Sequence, residues 1–174
     1  VTSRCQVRAG NRFPPTVRDG RTMARQGRLT LRYKSVLLKV SGEALMGAQG
    51  FGIDVAVADR IAADIHQVRE LGVRISVVIG GGNIFRGVAV ASKGGDRVTG
   101  DHMGMLATVI NALALRTSLT KIGVDAIVLS AIAMPEICES FSQRAALAHA
   151  QAGRVVQELG LQTNPASLQV TSPL

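Results

Sequence analysis

Short apolar runs alternate with segments of helical periodicity along most of this chain, and two of the runs are followed by glycine within two residues. The predicted strands lie at 36–40, 73–79, 126–129 and from 154 onward, and the predicted helices lie between them at 54–71, 101–122 and 142–152. Apolar runs without polar alternation are typical of strands buried on both faces, as in parallel sheets. The order therefore predicts an α/β fold with a mostly parallel sheet sandwiched by helices, in which ligands bind beyond the carboxyl ends of the strands.

The longest predicted helix, over 101–122, carries an apolar stripe. Leu106, Ile110 and Leu113 recur at helical spacing, so we expect them to face the core. Asp101, at the first position, is typical of an N-cap residue. In the alternative role, its carboxylate accepts hydrogen bonds from ligand hydroxyl groups, such as those of a ribose.

Composition excludes two broad classes of protein. With 47% hydrophobic and 18% charged residues, the chain is too apolar to be disordered, and no uncharged apolar run approaches the roughly 20 residues of a membrane helix. Cys5 and Cys138 are far apart in sequence and provide neither a disulfide framework nor a zinc-binding spacing. We therefore predict a cytoplasmic protein with no membrane segment and no metal-ligating residues.

Positive charge is concentrated at the start of the chain. Residues 1–32 carry eight Arg and one acid, for +7 of the total net charge of +8. Because the remainder is nearly neutral, we predict no binding of nucleic acid. Residues 1–32 lack apolar periodicity and are predicted to be a basic, disordered extension. The alternatives are an organelle transit peptide, or upstream sequence preceding a start at Met23.

The first candidate site follows the strand at 36–40. Lys39 lies in an apolar strand, where an ammonium is costly unless it reaches an anion or water. Ser41 and Gly42 then open a turn whose backbone N–H groups can approach a phosphate closely. The alternative is a lysine that extends to solvent at the strand end, followed by an ordinary turn.

The second candidate site is the segment GGGNIFRG at 80–87, after the strand at 73–79. Consecutive glycines expose backbone N–H groups to an anion, and Arg86 can add a bidentate phosphate contact. The segment matches neither the P-loop nor the dinucleotide fingerprint. A tight connection from strand to helix is the alternative, but Arg86 and the preceding strand favour an anion site.

Five blocks of sequence together resemble the bacterial uridylate kinases of the amino acid kinase family. The blocks are YKSVLLKVSGEALMG, GAQGFGID, VVIGGGNIFRG, DRVTGDHMGMLATVINALALR and LSAIAMPEICESF, and the resemblance as a whole runs from residue 33 to about 156. The third and fourth blocks distinguish these enzymes from carbamate, acetylglutamate and aspartate kinases. The resemblance implies transfer of the γ-phosphoryl group of ATP to UMP, giving UDP and ADP, with Mg²⁺ accompanying ATP.

The resemblance also implies roles for individual residues. Lys39 becomes the catalytic residue, which stabilises the transferring phosphoryl group. The implied ATP-binding residues are Lys39, Val40, Ser41, Gly42, Gly82 and Arg86, and the implied UMP-binding residues are Gly81 and Asp101. The implied allosteric site for GTP consists of Gly47, Ala48, Gln49, Gly50, Phe51 and Gly52. A cytoplasmic homohexamer acting in pyrimidine biosynthesis is implied as well.

The sequence departs from this family after Val156. Where the family continues with an alanine/glycine stretch and GTGNPFFTTD, this chain reads QELGLQTNPASLQVTSPL. We therefore expect a basic extension at 1–32, the N-terminal UMP-binding part of the kinase domain at 33–156, and a divergent tail at 157–174, the C-terminal portion being missing or frame-shifted. Such a chain is expected not to hold both reacting phosphates, so the alternative function is an inactive fragment that at most binds nucleotide.

Overall fold

The structure, a computed structural model, describes residues 31, 33–85 and 96–159. Three predictions therefore fall outside the described residues. They are the disorder of the extension at 1–32 apart from Leu31, the phosphate contact of Arg86, and the end of the divergent tail at 160–174.

A five-stranded sheet, parallel at every neighbouring pair, forms the centre of the described part. The strands are β1 Ser35–Val40, β2 Arg74–Ile79, β3 Ala126–Ser130, β4 Glu139–Ser140 and β5 Val155–Leu159. Their order across the sheet is β1, β2, β5, β3, β4. The predicted parallel sheet is confirmed, and the short β4 is the strand that the apolar pattern did not predict.

Helices connect these strands in the described part of the chain. They are a 3₁₀ helix at Gly42–Met46, α1 at Val55–Glu70, α2 at Arg97–Lys121 and α3 at Gln143–Gln151. Each α-helix begins after a residue whose side chain accepts a hydrogen bond from a backbone N–H of the first turn; these residues are Asp54, Asp96 and Ser142. Such caps satisfy N–H groups that have no partner within the helix.

The sheet is covered on both faces. Val155 and Leu159 of β5 join the main core, which also contains side chains of α1 and α2. Val156, between them, packs in a smaller cluster with Ala146 of α3. Because successive strand residues point to opposite faces, α1 and α2 cover one face and α3 covers the other. The predicted sandwich of helices around a sheet is confirmed.

The start of α2 and its buried face both differ from the prediction. The helix begins at Arg97 rather than 101, because Asp96 provides the N-cap. Leu106 and Ile110 are 47% and 49% exposed, so the prediction that they face the core is wrong, and Leu113 is partly buried against the core. The buried face instead carries smaller or polar side chains together with leucines: Gly100, Ala107, Val109, Asn111, Ala112, Leu115, Ser118 and Leu119. Small side chains allow neighbouring backbone to approach the helix closely.

By length and composition, α2 could cross a membrane, since an 18-residue window has a mean hydropathy of 1.2. Its packing is that of a core helix in an α/β fold. Ala112, Leu115 and Leu119 are fully buried within the main core. Contact with the sheet and α1 therefore explains the apolar residues on the buried face of α2.

The β1 strand is more exposed than predicted. It lies at one edge of the sheet, and its apolar residues Val36, Leu37 and Leu38 are 40%, 36% and 36% exposed. The expectation that it is buried on both faces is therefore wrong for the described part of the chain. An edge strand has neighbours on one side, and an apolar run alone does not distinguish it from a central strand.

Candidate functional site

The two glycine-containing turns predicted from the sequence meet at the carboxyl ends of β1 and β2. Val40 and Ile79, the last residues of these strands, are paired in the parallel register. The N–H of Gly80 donates to the carbonyl of Val40 at 2.9 Å. The first turn, residues 41–42, therefore lies beside the glycine loop, residues 80–83, where the prediction placed a ligand.

Gly42 packs directly against the glycine loop. A Cβ atom at this position would lie 2.6 Å from the Gly80 carbonyl oxygen and 2.8 Å from the Gly82 nitrogen. These distances are shorter than a carbon atom tolerates, so a larger residue would force the two turns apart. Ser41 caps the 3₁₀ helix with its backbone only, because its side chain makes no capping hydrogen bond. That side chain is exposed beside the turn.

The other side of the glycine loop packs on α2. A Cβ at Gly81 would lie 2.8 Å from the Gly104 carbonyl oxygen and 2.9 Å from the Ala107 Cβ. Gly82 is less enclosed, since the nearest atom to an added Cβ is the Glu43 Cγ at 3.9 Å. The glycine loop is therefore held between the first turn and α2.

Lys39 is the penultimate residue of β1 and is exposed. It lies one residue before the paired end of the strand, so it belongs to the same edge of the sheet as the two turns. The exposure corrects the argument from burial cost, because an ammonium in contact with water needs no anion to offset its desolvation. The catalytic assignment of Lys39 remains a prediction.

Asp101 does not cap α2. The cap is Asp96, whose carboxylate accepts hydrogen bonds from the N–H and the hydroxyl of Thr99 at 2.9 and 2.8 Å. These hydrogen bonds, with one from the Val98 N–H, lower the pKa of Asp96 below its ordinary value. Asp101 lies in the second turn of α2 and is exposed. The N-cap interpretation of Asp101 is therefore wrong, and its role as a hydroxyl acceptor remains a prediction.

The surface loop, residues 47–52, lies next to the glycine loop. Its residues are exposed apart from the half-buried Gly52. Gly47 and Gly52 have φ angles of 60° and 84°, a region that glycine adopts without strain. The N–H of Gly52 donates to the main-chain carbonyl of Asn83 at 3.0 Å. The surface loop is thus bonded to the end of the glycine loop.

Two buried asparagines join these segments, and neither had been assigned a role from the sequence. Asn83 of the glycine loop and Asn111 of α2 are 2% and 0% exposed and are hydrogen-bonded to each other. The available signal was an amide side chain inside the apolar segment LATVINALALR. A buried amide requires hydrogen-bond partners, so its presence on a core-facing helix indicates a specific contact.

No group of three or more His, Cys, Asp or Glu side chains suited to a metal ion occurs among residues 33–85 and 96–159. Mg²⁺ commonly retains several waters and binds substrate phosphates with only one or two carboxylates. A nucleotide-bound Mg²⁺ thus does not require such a cluster.

Comparison with known proteins agrees with this arrangement. The profile of the amino acid kinase family matches residues 34–166. The uridylate kinase of Brucella anthropi is 79% identical over 133 residues, which cover 76% of this chain and 55% of that protein. The chain thus spans about half the length of the curated relatives it matches.

Solved structures agree as well. The UMP kinase of Bacillus anthracis superposes with a TM-score of 0.69 at 38% identity, covering 73% of this chain and 52% of that one. The UMP kinase of Ureaplasma parvum gives 0.68 at 32% identity, covering 74% and 55%. With the family profile matched over most of its length, the chain belongs to the amino acid kinase family.

Proposed function

We propose that this protein acts as a uridylate kinase, which transfers the γ-phosphoryl group of ATP to UMP and yields UDP and ADP. The observation that carries the proposal is the meeting of the first turn and the glycine loop at two adjacent strand ends. Two glycine-containing turns at adjacent strand ends bring several backbone N–H groups together, which suits a ligand with several phosphate groups. The high identity to uridylate kinases supports UMP as the acceptor.

Phosphoryl transfer depends on positioning the phosphates and neutralising their charge, rather than on covalent chemistry by the protein. In the proposed site, the backbone at Val40, Ser41, Gly42 and Gly82 surrounds the ATP phosphates. Lys39 supplies positive charge to the transferring group, and Arg86 contributes a bidentate contact. Mg²⁺ bound to ATP offsets further phosphate charge when present.

The UMP side of the site lies along the start of α2. Gly81 packs against the carbonyl of Gly104, and Asp101 lies one turn earlier on the same helix. An exposed carboxylate that does not cap the helix is free to accept hydrogen bonds from ribose hydroxyls. Gly81 then contributes its backbone to the UMP phosphate, while Asp101 fixes the sugar.

The proposal extends to regulation and assembly. The surface loop is the proposed binding site for GTP as an activator. Its hydrogen bond to Asn83 supports an effect of bound GTP on the phosphate site. Met103, Leu106 and Ile110 form an exposed apolar stripe on α2, which supports self-association up to the homohexamer. The setting is the cytoplasm and the pathway is pyrimidine nucleotide biosynthesis.

A Lys39→Ala variant tests the proposed reaction. The background is a hybrid in which the residues after Val156 are replaced by the corresponding C-terminal part of the Brucella anthropi relative. We expect the hybrid to form UDP from UMP and MgATP. In Lys39→Ala, the fall in kcat/KM should correspond to a loss of at least about 2 kcal/mol of transition-state stabilisation. Lys34→Ala, which changes a lysine before β1, is the matched control. Equal turnover of Lys39→Ala and the hybrid would contradict the catalytic assignment.

Nucleotide binding without turnover is the second candidate function for the 174-residue chain itself. It rests on one observation: the central strand β5 buries the polar residues Gln157 and Glu158, where a parallel strand is normally apolar. In this case UMP or ADP binds, but no UDP forms with MgATP. UDP formation by the 174-residue chain above its own Lys39→Ala variant would exclude this candidate.

A further inference from the structure

Two asparagine side chains form a closed hydrogen-bonded pair behind the glycine loop. The Asn111 Nδ2 donates to the Asn83 Oδ1 at 2.6 Å, and the Asn83 Nδ2 donates to the Asn111 Oδ1 at 2.9 Å. The remaining N–H of each amide donates to a main-chain carbonyl, from Asn111 to Gly80 at 2.7 Å and from Asn83 to Gly52 at 2.8 Å. Since each amide has two N–H donors, the asparagine pair uses every donor it has.

Burial makes this arrangement restrictive. Asn111 is fully buried and Asn83 is 2% exposed, so water does not replace a broken hydrogen bond. A buried amide without a partner is costly, and rotating either amide by half a turn would place donors against donors. The asparagine pair therefore has one favourable geometry. A core-facing helix position ordinarily takes an apolar residue, so the amide at 111 is better explained by specificity than by packing.

The asparagine pair contacts the first turn, the glycine loop and the surface loop. Asn111 bonds the carbonyl of Gly80, the first residue of the glycine loop. The Asn83 Oδ1 lies 2.6 Å from where a Cβ of Gly42 would be, so it packs against the first turn. Asn83 also holds Gly52 of the surface loop through its side chain and its main-chain carbonyl. Asn111 itself directs both of its N–H groups elsewhere, so its hydrogen bonds reach the surface loop only through Asn83.

We propose that the asparagine pair is a positioning element of the phosphate site that also couples the surface loop to the glycine loop. It holds the backbone of the glycine loop against the first turn, and a displacement of Gly52 is transmitted to that backbone through Asn83. By linkage, a ligand that orders the glycine loop also orders the surface loop. This inference rests on the proposed function, because it assigns the glycine loop the task of holding nucleotide phosphates.

Amide hydrogen exchange of the unliganded 174-residue chain tests the coupling without any nucleotide. The variant Asn111→Leu keeps the branching and the number of heavy atoms of the side chain and removes its hydrogen bonds. We expect exchange in the surface loop to become about tenfold faster, the effect of losing one to two hydrogen bonds. The matched control is Leu119→Val, a buried change two turns further along α2, which leaves the asparagine pair intact. It should leave surface-loop exchange at the parent rate.

A second variant, Asn83→Ala, lies outside the helices and strands and keeps the main-chain carbonyl that accepts from Gly52. Faster exchange in its surface loop reports the lost side-chain bond and supports the coupling even where Asn111→Leu does not fold. Parent-like surface-loop exchange in the folded variants, or an equal increase in Leu119→Val, would overturn it. Either result would reduce the asparagine pair to ordinary packing.

Nucleotide affinity tests the positioning role separately. We expect Kd for UMP and for ADP to rise about threefold to tenfold in Asn83→Ala, and to stay at the parent value in Leu119→Val. Unchanged affinity for both nucleotides in Asn83→Ala would overturn the positioning role. A parent chain that binds neither nucleotide would contradict the proposed function instead, and the exchange rates would still decide whether the surface loop is coupled.

Discussion

Gly42 marks the closest approach between the first turn and the glycine loop. An added Cβ would lie 2.6 Å from both the Gly80 carbonyl oxygen and the Asn83 Oδ1, and the backbone contact cannot be relieved by rotating a side chain. We expect Gly42→Ala to lower the free energy of unfolding by about 1 to 3 kcal/mol, the usual cost of overpacking. Urea unfolding measures this loss.

Gly50→Ala is the matched control for Gly42→Ala, because nothing lies within 4 Å of the Cβ it would add. At such a position the change is expected to be neutral or to stabilise by up to about 1 kcal/mol through the unfolded chain. Equal stabilities of the two variants would show that the first turn and the glycine loop can separate without cost.

Variants of Asp101 and Asp96 distinguish an effect on UMP binding from an effect on helix capping. Asp101→Asn is expected to weaken UMP binding by about 1 to 3 kcal/mol and to leave ADP binding unchanged, because a charged acceptor of ribose hydroxyls is lost. Asp96→Asn, the control, preserves the cap and should leave both affinities unchanged, since Asn caps about as well as Asp. Isothermal titration of each variant with UMP and ADP makes the comparison. Parent-like UMP affinity in Asp101→Asn would remove Asp101 from the site.

At the scale of elements, β5 combines a central position with an unusual sequence. It pairs with β2 on one side and β3 on the other. Gln157 is fully buried in register with Val77 and Val128, and its two amide atoms make no hydrogen bond in the described part. Glu158, which follows it, is 6% exposed. Central parallel strands are normally apolar throughout. Burial of these two polar side chains therefore costs free energy and destabilises β5 in the sheet.

Glu158 makes stability depend on pH in a defined direction. Burial raises its pKa above the ordinary value of 4.5, because the charged carboxylate is desolvated. Between 4.5 and the raised value the folded chain binds more protons than the unfolded chain, so this group's contribution to stability falls as pH rises through that window. Glu158→Gln should remove this component. We expect the parent to lose stability relative to Glu158→Gln as the pH rises above 4.5, measured by urea unfolding at each pH. A difference that does not change with pH would contradict burial of Glu158.

The exposed apolar stripe on α2 leads to a prediction about self-association of the whole molecule. Met103, Leu106 and Ile110 recur on one face of the helix and are each more than two-fifths exposed. Replacing Ile110 by Lys places a charge on the most exposed residue of this stripe. If the stripe is a contact between copies, we expect Ile110→Lys to sediment as a smaller species than the parent at equal concentration.

Leu147→Lys is the control for that measurement, since Leu147 is a similarly exposed leucine on α3, away from the stripe. It should leave the sedimentation of the parent unchanged. An identical assembly state for the parent and Ile110→Lys would show that the stripe on α2 takes no part in self-association.

Much of the fold and part of the site could be predicted from local sequence. Apolar runs located β1, β2, β3 and β5, and the caps Asp54 and Ser142 follow from residue type. The glycine pattern also predicted that the first turn and the glycine loop lie at one edge of the sheet. These features depend on backbone preference and on periodicity within a few residues, and both are visible in the local sequence.

Other features were decided only when the elements packed together. The apolar pattern of α2 predicted a buried Ile110, yet the glycine loop approaches so closely that small and amide side chains take that face. The exposure of β1 depends on which strand has a neighbour on each side, and the pairing of Asn83 with Asn111 joins residues 28 positions apart. By itself, the sequence determined where the four longer strands, the glycine turns and the caps Asp54 and Ser142 occur. The tertiary structure decided which face is buried and which polar groups meet, because these depend on distances between segments that are remote in the chain.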